Sequence, residues 1–157
     1  MAGKYTYRNL IVWERAQALA LAVLRIVQRL PNSWGNAVIA RQIVASATSV
    51  GANIAEGHGR FTPGAHRNHL SIAKGSAAET DSWLDLLRRA GHISDEEEAA
   101  LHAECQEIMA MLTSKILELQ KLEREASKQV QEDREMYVVA GQEDLPPPPF
   151  TPEDYRQ

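Results

Sequence analysis

Ile39, Ile43, Ala47, Val50 and Ile54 recur every three or four residues, and no charged residue lies between Arg41 and Glu56. The spacing is that of one face of an α-helix. The other positions of this segment are small and uncharged: Ala45, Ser46, Ser49, Gly51 and Ala52. A helix with no charged side is buried on more than one face, and small residues let neighbouring backbones approach closely. In a chain of 157 residues, one core buries only one such face. The second face points to a subunit interface, the alternative being the central helix of a monomer.

Three more segments show the helical period. Trp13, Ala16, Ala20, Val23, Val27 and Leu30 mark a helix over residues 10–30, stopped by Pro31. His66, Leu70, Ala73, Ala77, Thr80, Leu84 and Leu87 form a seam over residues 63–90, with Thr62 as N-cap, Pro63 in the first turn and Gly91 as C-cap. Ser94 and Glu97 have the spacing of a capping box, opening a helix whose stripe (Leu101, Cys105, Ile108, Leu112, Ile116, Leu119, Leu122, Ala126) lasts to about Val130. Gly57 is read as a left-handed C-cap of the second helix. Long helices joined by short connections make antiparallel neighbours. The expected fold is all-α, an antiparallel up-down four-helix bundle over residues 10–133, after an N-terminal arm (1–9). Residues 134–157, acidic and containing Pro146–Pro149, are expected to form a flexible tail.

Aromatic residues make up 6% and hydrophobic residues 44% of the chain, which suits helix packing better than a β-sandwich. The net charge of −4 is unevenly spread. Residues 1–60 hold seven Lys/Arg against two Asp/Glu, and residues 94–157 hold six against sixteen. A uniformly basic nucleic-acid binder is excluded, but a basic face on the first two helices is not. One cysteine, Cys105, permits no intrachain disulfide and reads as a core residue. No apolar h-region follows Met1, and the most apolar stretch is broken by Glu14, Arg15, Arg25 and Arg29, so a membrane span is not expected. The expected location is cytoplasmic.

No catalytic motif is present: no GxSxG, no HExxH, no phosphate-binding GxxxxGK[ST]. No catalytic residue, cofactor or metal site is assigned. His58, His66 and His69 lie near Glu56 and could in principle hold zinc, but the Glu-x-x-His pairs of di-metal bundles are missing. Gly57, Gly59 and Arg60 form a turn before a helix N-terminus, a geometry open to anions but common on structural grounds alone. Glu79, Asp81 and Asp85 read as surface acids or ion-pair partners. Asn53 and Glu56, three apart, are expected to serve the helix end, Glu56 by pairing with Arg60 or accepting hydrogen bonds from the start of the third helix, and Asn53 by satisfying backbone groups at the turn. Gly75 and Ser76 in mid-helix are expected to permit close helix approach.

The run from Ser49 to Arg60 (SVGANIAEGHGR), the run from Leu70 to Glu79 (LSIAKGSAAE) and Val12-Trp13-Glu14-Arg15-Ala16 resemble the bacterial four helix bundle protein family, also called the ribosomal-RNA intervening-sequence protein family. The motif residues are Asn53, Glu56, Gly57, Gly59, Gly75, Ser76 and Glu79, and the resemblance spans roughly residues 7–120. It implies a bundle that assembles into a homopentameric ring, without established enzymatic activity. The family is similar to the accessory variability determinant of diversity-generating retroelements, a pentameric bundle that binds nucleic acid and a reverse transcriptase. The resemblance thus implies a non-enzymatic scaffold whose partners are itself, RNA or DNA, or a reverse transcriptase. One departure weakens the nucleic-acid expectation: Val44 and Ala45 stand where the family often carries a basic pair. Arg25, Arg29, Arg41, Arg60 and Arg67 are left as candidate contacts. The alternatives are a protein–protein adaptor that displays its acidic, proline-rich tail, and a metal-dependent enzyme built on His58, His66 and His69.

Overall fold

The computed structural model describes residues 6–139. Their order is a 3-10 turn (Tyr7–Asn9) and four α-helices: α1 (Ile11–Gln28), α2 (Trp34–His58), α3 (Pro63–Arg89) and α4 (Asp95–Val139). The chain divides into two compact units, Met1–Lys121 and Leu122–Gln157.

In the first unit the helices form an antiparallel four-helix bundle. Direction follows from residue pairs across each seam. Ser76 meets Ser49 and Thr80 meets Ser46, so α2 and α3 run oppositely. Arg15 meets Glu104 and Arg29 pairs with Glu97, so α1 and α4 do too. Asp81 meets His102 and Arg88 meets Asp95 across α3 and α4. The core takes a stripe from each helix: Leu19, Val23 and Ile26; Ile43, Val50 and Ile54; Leu70, Leu84 and Leu87; Ile108 and Leu112. Burial of such side chains contributes about 1.5–3 kcal/mol each. Cys105 is fully buried, and burial pushes its thiol up to about 12, which keeps it protonated.

Local chemistry sets the helix ends. The Ser33 and Thr62 hydroxyls accept from Asn36 N and Ala65 N at 3.2 Å, capping α2 and α3, and Pro63 occupies the first turn of α3. Gly91 adopts φ +73°, and the bonds His92 N–Leu87 O and Gly91 N–Arg88 O (both 2.9 Å) close a Schellman motif after α3. Ser94 accepts from Glu97 N at 3.2 Å, but the Glu97 carboxylate pairs with Arg29 of α1 rather than completing a capping box. Tyr7 stacks edge-on against Trp13 with ring centroids 5.2 Å apart, fixing the 3-10 turn on α1.

Two expectations need correction. Gly57 is not a left-handed cap. α2 continues through His58, and Gly59 caps it in ordinary right-handed geometry at φ −83°. Gly57 is buried inside the helix, where an added Cβ would lie 3.0 Å from His69 Cβ and 3.3 Å from the His66 carbonyl oxygen. The lack of a side chain there serves the crossing of α2 and α3. Gly75 is the reverse case: a Cβ at Gly75 meets nothing within 4 Å, so it allows no close approach inside this chain.

The second unit is helical over its described residues to Val139, and none of its described side chains is buried. Leu122 and Val130, expected on the core stripe, are 45% and 67% exposed. Helices α1–α3 have 18, 25 and 27 residues, too short to cover an α4 of 45. Past Leu119 the helix persists on the helix propensity of Glu, Lys, Arg and Gln rather than on burial. Residues 134–139 of the expected tail are thus helical, and its proline-rich part lies outside the described residues. Among the described residues no helix is long and apolar enough to cross a membrane.

Candidate partner-binding surface

Asn53, Glu56 and Ser76 of the motif lie on one hydrogen-bonded seam between α2 and α3. Asn53 Nδ2 donates to the Ser49 carbonyl (2.9 Å) and to Ser49 Oγ (3.0 Å). Ser76 Oγ donates to Ser49 Oγ at 2.9 Å. One turn on, Thr80 Oγ1 lies 2.9 Å from Ser46 Oγ and 2.8 Å from the Ser76 carbonyl, and Ser46 donates to the Ile43 carbonyl at 3.1 Å. At the other end, Arg60 Nε donates to His69 Nε2 at 3.1 Å, and Arg60 also pairs with Glu56. An Nε2 that accepts leaves the proton on Nδ1, which faces Asn53 Oδ1 at 3.3 Å. Glu56, Arg60, His69, Asn53, Ser49 and Ser76 therefore form one chain of polar contacts fixing the α2–α3 crossing. Asn53 serves its own helix and His69 rather than the backbone of the turn. Ser46, Ser49, Thr80 and His69 belong to this seam as fully as the motif residues do. Their hydroxyl and imidazole partners lie on another helix, out of reach of a reading by local spacing.

Between Arg41 and Glu56 the outward side of α2 carries no charge. Ala45, Thr48 and Ala52 are exposed between Arg41 and Glu56. The Ser49–Ser76 bond sets Ile72 and Gly75 of α3, both exposed, at the level of Ala52 and Thr48. On α1, Leu21 is 53% exposed.

The five candidate arginines differ in exposure and in partners. Arg29 is paired with Glu97, and Arg60 with Glu56 and His69. Arg67 is half-buried in the first turns of α3. Arg25 and Arg41 are exposed and have no ion pair among the described residues. Two aromatic rings stand fully in solvent: Trp34 at the start of α2 (84% exposed) and Phe61 beside Arg60 (104%).

The three histidines near Glu56 form no three-ligand set among the described residues. His69 is committed to Asn53 and Arg60, whereas His58 and His66 line a cavity of about 630 Å³ with Leu10, Ile54, Leu70 and Lys115. Burial, then the positive charges of Lys115 and His58, hold His66 below its ordinary value. Of the acids of α3, Glu79 accepts from Trp83 Nε1 at 3.3 Å, and Asp85 binds Arg88 and Arg89. Hydrogen bonds from those two guanidinium groups hold the Asp85 carboxyl below the usual carboxylate range. Asp81 instead faces His102 Nδ1 across the seam to α4 at 2.8 Å.

Residues 8–114 match the family model described as 23S rRNA-intervening sequence protein. The fold is similar to a crystal structure of a protein of unknown function from the S23 ribosomal protein family of Bacteroides thetaiotaomicron. That likeness has a TM-score of 0.63 and 32% identity, covering 68% of this chain and 98% of that one. A search of curated proteins returns no match. With the family match extending over the whole of α1, α2 and α3 and into α4, the chain belongs to the 23S rRNA-intervening sequence protein family.

Proposed function

We propose that the protein is a non-catalytic scaffold that works as an assembly of several copies, with the uncharged outer side of α2 as the contact between them. The observation that carries this reading is the run of exposed Ala45, Thr48 and Ala52 with no charge between Arg41 and Glu56. A solvated helix face ordinarily carries charged and long polar residues. Gly75 adds support. A mid-helix glycine costs about 1 kcal/mol relative to alanine, and here no neighbour in its own chain calls for it. A second copy lying close against α3 gives it a use. The ring of five implied by the sequence resemblance is the assembly we favour.

The test is charge insertion on that face. Ala52→Glu and Ala45→Glu add carboxylates at exposed positions, so each chain keeps its fold by circular dichroism while the assembly falls to monomers in sedimentation. Assembly unchanged in both variants would exclude α2 as the contact.

A second reading is favoured by Arg25 and Arg41, two of the exposed guanidinium groups that have no acidic partner among the described residues. Repeated around an assembly, they supply separated positive charges for phosphates of RNA or DNA. The same charges suit a nucleic-acid enzyme such as a reverse transcriptase carrying its template. Binding of this kind weakens steeply with salt. Arg25→Glu with Arg41→Glu abolishes it, and an RNA affinity indifferent to both salt and that double change would refute the reading.

A further inference from the structure

Asp81 on α3 and Glu98 and His102 on α4 bring three metal-ligating groups together, with one ligand atom from each within 4.8 Å of the others. Glu98 and His102 are four residues apart, hence on one face of α4. The antiparallel register that sets Arg88 opposite Asp95 also sets Asp81 opposite His102. We propose that Asp81, Glu98 and His102 form a site for a divalent transition-metal ion of the zinc class, clamping α3 to α4.

Three features of the cluster support this. First, the spacing is close to what a metal requires. Two ligands at about 2.0–2.1 Å from zinc lie roughly 3–3.4 Å from each other. Asp81 Oδ1 and His102 Nδ1 are 2.8 Å apart, and Glu98 closes the set by side-chain rotation. Second, the negative charge lacks a fixed counter-charge. No Lys or Arg is ion-paired with Asp81 or Glu98 among the described residues, and the carboxylate of half-buried Glu98 has no hydrogen-bond partner there. Among the described residues, the Asp81 carboxylate has its one hydrogen-bond contact with His102 Nδ1, a nitrogen that can bind a metal ion instead. Third, the donor set is selective. One imidazole with two carboxylates suits zinc, cobalt or nickel better than magnesium or calcium, which take oxygen donors. Cys105, one turn further along α4, is fully buried and is not part of the cluster. Three protein ligands at a partly exposed position leave a coordination place for water.

The experiment is calorimetric titration of the untagged full-length chain with zinc chloride at pH 7.5, repeated with His102→Ala, Glu98→Gln and His66→Ala. The wild type and His66→Ala should each take up one ion per chain saturably. His102→Ala and Glu98→Gln should bind at least about 100-fold more weakly, since even outer-shell partners of a metal are worth 10–100-fold. Cobalt provides a second measurement: its visible absorption should appear on the wild type and vanish with His102→Ala. Absent saturable binding, equal binding by His102→Ala, or loss through His66→Ala alone would each overturn the assignment.

Discussion

Replacing Gly57 with alanine places a methyl group where α2 and α3 cross. The new Cβ would sit 3.0 Å from His69 Cβ, 3.1 Å from His66 Cδ2 and 3.3 Å from the His66 carbonyl oxygen. Two of these atoms are backbone or fixed directly to it, so rotamer changes do not relieve the clash, and the helices must part. Overpacking of this kind costs typically about 1–3 kcal/mol. Here the upper half of that range applies, because parting the helices also lengthens the His69–Asn53 contact, already 3.3 Å. Alanine recovers roughly 1 kcal/mol of helix propensity. The expected net loss is about 1–2 kcal/mol, or a melting temperature lower by roughly 3–8 °C for a chain of this size. Gly59→Ala is the control, since its Cβ meets only the Glu56 carbonyl at 3.5 Å and its φ is ordinary. It should melt within about 2 °C of the wild type. Thermal unfolding followed by circular dichroism measures both. A Gly57→Ala protein that melts at or above the wild-type temperature would refute the close-crossing account.

Three further outcomes follow from the same contacts. Ser46→Ala leaves buried Thr80 one hydroxyl partner short and should cost about 1 kcal/mol in urea unfolding, with an unchanged m-value. In proton NMR, His102 should titrate above 6.5 because Asp81 favours its charged form, and Asp81→Asn should bring the midpoint back down. The sign fixes the stability window: the His102–Asp81 contribution is complete below the unfolded value near 6.5 and is lost as pH rises through the raised folded value. Cys105 should resist thiol reagents at pH 8 in the folded chain and react once per chain after denaturation, whereas full labelling of the native protein would contradict its burial.

The bundle was legible because its signals are local. Thr62-Pro63, Ser94 and Gly91 act within a turn of themselves, and the apolar stripes of α1, α2 and α3 repeat at the helical period. Glycine was the ambiguous letter. Gly57 fits both a left-handed cap and a close crossing, and only the position of His66 and His69 on the next helix decides between them. Gly75 has no such neighbour, so its place in the chain is explained by the packing of a single copy no better than by its spacing. The length of α4 was hidden because the apolar stripe fades after Leu119 while helix-favouring residues continue. For Asp81 and His102, 21 residues apart, only the register of α3 against α4 makes them neighbours. The Glu98–His102 spacing was visible in the sequence, but the third ligand was not.

In the proposed assembly the outer side of α2 joins copies of the chain, and native mass spectrometry of the untagged protein at low salt reads the number of copies. A species of several chain masses, five in the favoured assembly, that falls to the 17.5 kDa single chain with Ala52→Glu is the predicted result. A wild-type protein that flies as a 17.5 kDa monomer at micromolar concentration would contradict it.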